Sequence, residues 1–174
     1  MDSAQFDDLN LPIASADAIS PVPAQTIDRQ GYRIGQLRLL SKFNEASELL
    51  VMPTIYRLPG ATREICGVTN LHGNVIPVFM LHERLGQVFE PPSTQEQTQQ
   101  QMLLVLGHGD KRAGVVIDGL PTRQKFLATD AAADDDIPNQ LKHYAYAAWR
   151  QAGVLWVEFD HTSLLNELTA DLRA

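Results

Sequence analysis

The stretch LPGATREICGVTNLHGNVIPV, residues 58–78, decides how the rest of the chain is read. A Pro59-Gly60 turn leads into the apolar run Glu64–Leu71, then His72-Gly73-Asn74, then a second apolar run, Val75–Phe79. Two such runs around a three-residue loop containing glycine predict a β-hairpin. Gly73 allows positive φ in the loop. Asn70, at the end of the first run, can satisfy turn backbone groups with its side chain. Alternation assigns Val68 and Val75, with Ile117 further on, to the core. Pro77 has no N–H for a ladder, which places the second strand at an edge or a bulge.

Outward from this hairpin the pattern repeats. Tyr32–Ile34, a Gly35-Gln36 turn and Leu37–Leu40 predict a first hairpin, and Glu48–Val51 a short strand. The polar, Pro- and Gln-rich run QVFEPPSTQEQTQQQ, residues 87–101, reads as a connection between two lobes. Met102–Leu106 and Ala113–Gly119 flank a turn at 107–110 and form another hairpin. Asp134-Asp135-Asp136 and Pro138 signal the start of a short helix, with Leu141, Tyr144, Ala145 and Ala148 at helical spacing. Residues 153–159 form a last strand. Asp160, Thr162 or Ser163 then caps a terminal helix with Leu164, Leu165, Leu168 and Leu172 on one stripe. Residues 1–28, with five Asp and three Pro, read as a flexible acidic tail, the alternative being a short docking peptide around Leu9-Leu11-Ile13. Many short strands at close spacing, with helices near the end, imply small barrels or a sandwich.

Composition excludes several functions. A net charge of -7 with scattered Lys and Arg is unsuited to gripping nucleic acid. No apolar run reaches the roughly 18 residues of a membrane span, and the acidic N-terminus is unlike a signal peptide. The expected location is the cytoplasm, with no direct membrane insertion. The single cysteine, Cys66, lies in an apolar run and is expected to be buried and inert. The histidines at 72, 82, 108, 143 and 161 lack ligand spacing, and Asp134–Asp136 lacks the alternation and glycine of a calcium loop, so no metal is expected. There is no phosphate loop, dinucleotide fingerprint or nucleophile elbow, and neither catalysis nor a cofactor is expected. A small-ligand-binding β-barrel remains the reading of a different class.

Residues 58–78 also resemble the signature of CheW-like coupling domains, in which Ile65-Cys-Gly-Val-Thr-Asn-Leu-His-Gly-Asn-Val-Ile-Pro-Val78 matches an I-x-G-V-x-N-L-R-G-x-V-I-P-V run. Ser47–Leu50 is similar to the family's Glu-containing strand, and Leu103–Val105 through Gly114–Asp118 to its second-lobe hairpin. The resemblance spans residues 30–170. It implies an all-β fold of two intertwined five-stranded, SH3-like barrels with short helices near the C-terminus. The CheW-like domain would occupy 29–174, with a first lobe at 29–88, a linker at 89–101 and a second lobe at 102–174. It implies a non-catalytic adaptor that couples the cytoplasmic tip of methyl-accepting chemoreceptors to a CheA-type histidine kinase, and is recruited to the inner membrane through those receptors. Gly31–Gly35, Tyr144, Trp149 and Leu155-Trp156 are similar to adaptors of type IV pilus systems. The expected partner-binding residues are Glu48, Asn70, Leu71, His72, Gly73 and Asn74. Two positions depart from the pattern. His72 stands where the family has an arginine that pairs with the glutamate matching Glu48, and Met80-Leu81 stands where it has Asp-Leu. A histidine lacks the guanidinium's fork, which implies a looser turn or an altered, even inhibitory, partner set.

Overall fold

The computed structural model describes residues 25–88 and 100–171. Ten strands and one helix follow in order. They are β1 (Thr26–Ile34), β2 (Leu37–Ser41), β3 (Ala46–Val51), β4 (Ile65–Leu71), β5 (Asn74–Phe79), β6 (Gln101–Leu106), β7 (Ala113–Asp118), β8 (Thr122–Leu127), β9 (Ala145–Gln151), β10 (Val154–Phe159) and α1 (His161–Asp171). They build two five-stranded sheets, β8-β1-β2-β10-β9 and β3-β6-β7-β5-β4, here called the first and second barrels. Each barrel draws on both halves of the chain, and each contains one parallel pair, β2 with β10 and β5 with β7. The two lobes are therefore interleaved in sequence, and a lobe boundary near residue 88 is not a boundary between sheets.

The expected all-β architecture is what the chain adopts, with several local corrections. Strand β1 begins at Thr26, so residues 26–28 belong to the first barrel, while residues 1–24 of the expected tail lie outside the described residues. Most of the expected linker, 89–99, also lies outside them, and Gln101 is already in β6. The helix expected after Pro138 is absent. Asp134–Asp136 makes a short 3-10 turn, and Ala145 and Ala148 lie in β9. That strand pairs along its length with β10, Trp149 opposite Trp156, and this pairing overrides a four-residue coincidence of helical spacing. The C-terminal helix does form. Asp160 caps it, its Oδ1 accepting the Ser163 N–H at 2.9 Å, and Leu164, Leu165 and Leu168 are buried beneath it; Leu172 lies outside the described residues.

A continuous core joins the barrels. Ile34 and Leu39 from the first meet Phe79, Leu104 and Ile117 from the second, and α1 closes one side with its leucines. Each barrel also has its own interior. Leu40, Phe126 and Trp149 fill the first, and Val78, Leu103 and Val116, with Leu71, Ile76 and Val105, fill the second. Of the two placements expected for Pro77, the edge is excluded, because β5 lies between β4 and β7, and the bulge is close by, where the β4–β5 register shifts between Ile65 and Gly67 opposite Phe79 and Val78. Val68 exchanges both backbone hydrogen bonds with Tyr56, at 2.8 and 2.9 Å, so its pairing with Pro77 on the other side is of the non-hydrogen-bonded kind. The proline nitrogen points instead towards β7, whose pairing with β5 begins at Val78.

Candidate partner-binding turn

The β4–β5 connection is tighter than the sequence suggests. Leu71 pairs directly with Asn74, leaving a two-residue turn, and both turn residues have positive φ, 51° at His72 and 84° at Gly73. Positive φ at both central positions is the type I′ pattern, whose twist matches that of the flanking strands. Gly73 meets this demand at no steric cost, and a Cβ there would have open space around it. Positive φ is uncommon outside glycine, but His72 is one of the residue types enriched there. Asn70 caps the turn, its Oδ1 accepting the Gly73 N–H at 2.9 Å, and Asn74 Nδ2 reaches the His72 carbonyl at 3.5 Å.

His72 then reaches across the barrel. Its Nε2 lies 2.9 Å from Oε1 and 3.1 Å from Oε2 of Glu48 on β3. In sheet order β3 and β4 stand at opposite ends, so this bond and the Tyr56–Val68 bridge tie the two ends of the second barrel together. Glu48 and Leu50 share a face of β3, which puts the carboxylate at the rim above a plug formed by Leu71, Ile76 and Val105.

Of the six expected residues, five therefore gather at one exposed rim: Glu48, Asn70, His72, Gly73 and Asn74. Leu71 does not join them. It is 3% exposed inside the barrel, where it supports the turn. The assignment of Val68 and Val75 to the core is also corrected. Asn70 pairs with Val75 and Val68 with Pro77 on the outer face, and Val75 is 68% exposed. Tyr56, Val68, Pro77 and Val75 thus form an outward apolar strip running up to the turn, which the sequence reading did not include. Ile117 is fully buried, as expected.

Elsewhere, Cys66 is half-buried in the second barrel, and burial pushes its thiol up, leaving it protonated. Among the described residues, no group of three or more His, Cys, Asp and Glu side chains is placed to hold a metal. No described helix is long and apolar enough to cross a membrane.

Comparison with known proteins bears on this geometry. The model of the CheW-like domain family matches residues 31–169. The chain belongs to the CheW-like domain family. It is 30% identical over 96 residues to Protein PilI of Pseudomonas aeruginosa, which covers 55% of this chain and 51% of that protein. It is 33% identical over 93 residues to Chemotaxis protein CheW of Helicobacter pylori, covering 53% and 52%. The matched region thus spans about half the length of these curated relatives. The fold is similar to that of the scaffolding protein TtCheW from Thermoanaerobacter tengcongensis, with a TM-score of 0.64 at 13% identity over 78% of this chain and 89% of that one.

Proposed function

We propose that this chain is a non-catalytic adaptor that couples the cytoplasmic tip of a methyl-accepting chemoreceptor to a CheA-type histidine kinase, with motility as the output. It works in the cytoplasm and is recruited to the inner membrane through the receptor. The β4–β5 turn, residues 70–74 with Glu48, is its partner-binding surface. The observation that carries this reading is the His72–Glu48 pair at the rim of the second barrel, next to the exposed strip of Tyr56 and Val75. A preformed turn held by Asn70 and Glu48 loses little conformational entropy on binding, and an apolar strip beside polar rim groups is the usual composition of a protein interface. Similarity to Protein PilI favours a type IV pilus system as the setting.

A second reading differs in the partners alone. Histidine in place of the family's arginine gives up bidentate pairing, which favours a scaffold with redirected or inhibitory binding. Mild crosslinking in the native host, capture of the tagged full chain and identification of the bound proteins separates the two. A chemoreceptor recovered with a CheA-type kinase supports coupling. Recovery of neither, from a lysate that contains both, overturns it.

A further inference from the structure

A second site stands at the mouth of the first barrel, far in sequence from the β4–β5 turn. The two-residue Gly35-Gln36 turn sets the β1–β2 register so that Arg33 pairs directly with Arg38. Side chains directly opposite in an antiparallel pair project from the same face, and like charges placed so are destabilising. The inward row of β1 runs Arg29, Gly31, Arg33. Arg29 has its counter-charge, with Nε 3.1 Å from the buried carboxylate of Glu158. Among the described residues neither Arg33 nor Arg38 forms an ion pair of its own, although Arg33 stands near enough to help hold the Asp118 carboxyl low. Arg33 donates from Nε to the Asp118 backbone carbonyl at 3.4 Å, and Arg38 Nη1 is buried without a hydrogen-bond partner. The nearest carboxylate is already committed, since Asp118 Oδ2 accepts from the Gly35 N–H at 2.6 Å and pairs with His82 Nε2 at 2.8 Å.

Arg33 and Arg38 line a cleft of about 230 Å³, together with Gly31, Thr122, Trp156, Leu120 and the already engaged Asp118. Gly31 is needed there, because a Cβ at that position would come within 2.6 Å of the Trp156 ring. Leu120, at the rim, is 72% exposed. Two facing arginines with one carboxylate between them, itself bonded to Gly35 and His82, leave positive charge uncompensated beside a projecting leucine and an indole, a costly arrangement for folding alone. Guanidinium groups side by side are suited to a carboxylate, which can accept from both.

We propose that Arg33 and Arg38 form a carboxylate-binding site at the mouth of the first barrel, which takes an acidic side chain of a partner protein whose neighbouring apolar residue packs on Leu120. This site is separate from the turn at residues 70–74 and does not depend on the identity of the partner there.

The test follows the arginine Nε–Hε signals of the full chain by NMR during titration with acetyl-Glu-Leu-amide, and separately with inorganic phosphate at matched ionic strength. The site predicts saturable shifts of the Arg33 and Arg38 signals with the dipeptide, in the millimolar range, that vanish in Arg38→Gln. It also predicts that Arg38→Gln leaves Tm unchanged or raises it, since a like-charge pair is relieved. Arg33→Gln supplies the same two readings should Arg38→Gln fold poorly. Saturation by phosphate without the dipeptide reduces the site to one for small anions and overturns the proposal. So does the absence of any saturable shift, dipeptide binding that survives both substitutions, or a fall in Tm in both.

Discussion

His72 and Glu48 are 24 residues apart, yet they join the two ends of one five-stranded sheet through a bond of 2.9 Å. The pair is exposed, 69% at His72 and 31% at Glu48, so water weakens it. Exposed ion pairs contribute about 0.2–1 kcal/mol. A double-mutant cycle of His72→Ala and Glu48→Ala, measured by urea denaturation, should give a coupling energy in that range. A coupling above about 2 kcal/mol would show that the pair is a structural element rather than a surface tether.

The correction at Leu71 and Val75 gives a contrast between adjacent positions on the hairpin. Leu71→Ala removes buried packing against Ile76 and Val105 and should cost about 2–5 kcal/mol. Val75→Ala, on the exposed face, should change stability by less than about 0.5 kcal/mol while weakening partner binding. Denaturation curves of the two variants at a single pH check the first half, and a binding titration the second.

How much of this was legible in the sequence follows from the register. The hairpin itself was plain, because Gly73 and two apolar runs leave few alternatives. A three-residue loop would have placed Leu71 opposite Val75 on one face. The observed two-residue turn pairs Leu71 with Asn74 and sends Val75 outward with Asn70. A slip of one residue exchanges the two faces of a strand, and turn length alone decides it. The missing helix has a similar cause. Leu141 and Tyr144 are buried one turn apart, and the spacing simply continues by chance into β9, whose structure comes from long-range pairing with β10. Strand β8 gives little apolar signal, because TRQKFL buries one side chain completely, Phe126, after four polar residues and before a largely exposed Leu127. The Arg33–Arg38 pair was readable in principle, since any two-residue turn at Gly35-Gln36 places those arginines opposite each other. The residues that the family resemblance singles out lie together at one rim, except that the apolar Leu71 turns inward as its position in the strand requires.

His161 supplies a pH dependence. It begins α1, is buried, and pairs through Nε2 with the Tyr32 hydroxyl, while burial lowers its pKa to about 4. Burial pushes the Tyr32 phenol well above its ordinary value, aided by Glu45, so the phenol is the donor and the imidazole the neutral acceptor. The folded state thus holds this imidazole uncharged where the unfolded chain, with a pKa of about 6.5, binds a proton. Stability from this group is intact above about pH 6.5 and falls as pH drops towards 4. Between pH 7.5 and pH 5 the loss is about 2 kcal/mol. Urea denaturation at those two pH values should show it in the native chain, and His161→Gln should remove that part of the slope.

The first barrel holds a buried ion pair that behaves differently from the rim pair. Arg29 packs over the Trp149 ring, with its guanidinium carbon 5.8 Å from the centroid, and pairs with Glu158, whose side chain is 6% exposed. Glu158→Gln leaves a buried, unpaired guanidinium and should cost about 3–5 kcal/mol. Arg29→Met with Glu158→Leu should recover most of that loss, because apolar replacements of similar volume need no partner. Thermal denaturation of the single and double variants checks the order.

The central claim is that one molecule of this chain binds kinase and receptor together, using the turn at residues 70–74. The most direct measurement is co-sedimentation of the full chain and the CheA-type kinase of its host with membranes carrying the chemoreceptor. The native chain should carry the kinase into the pellet, and Glu48→Arg with His72→Glu should each abolish this while leaving the fold intact by circular dichroism. If the kinase pellets equally without the chain, or equally with both variants, the adaptor reading of this turn is wrong.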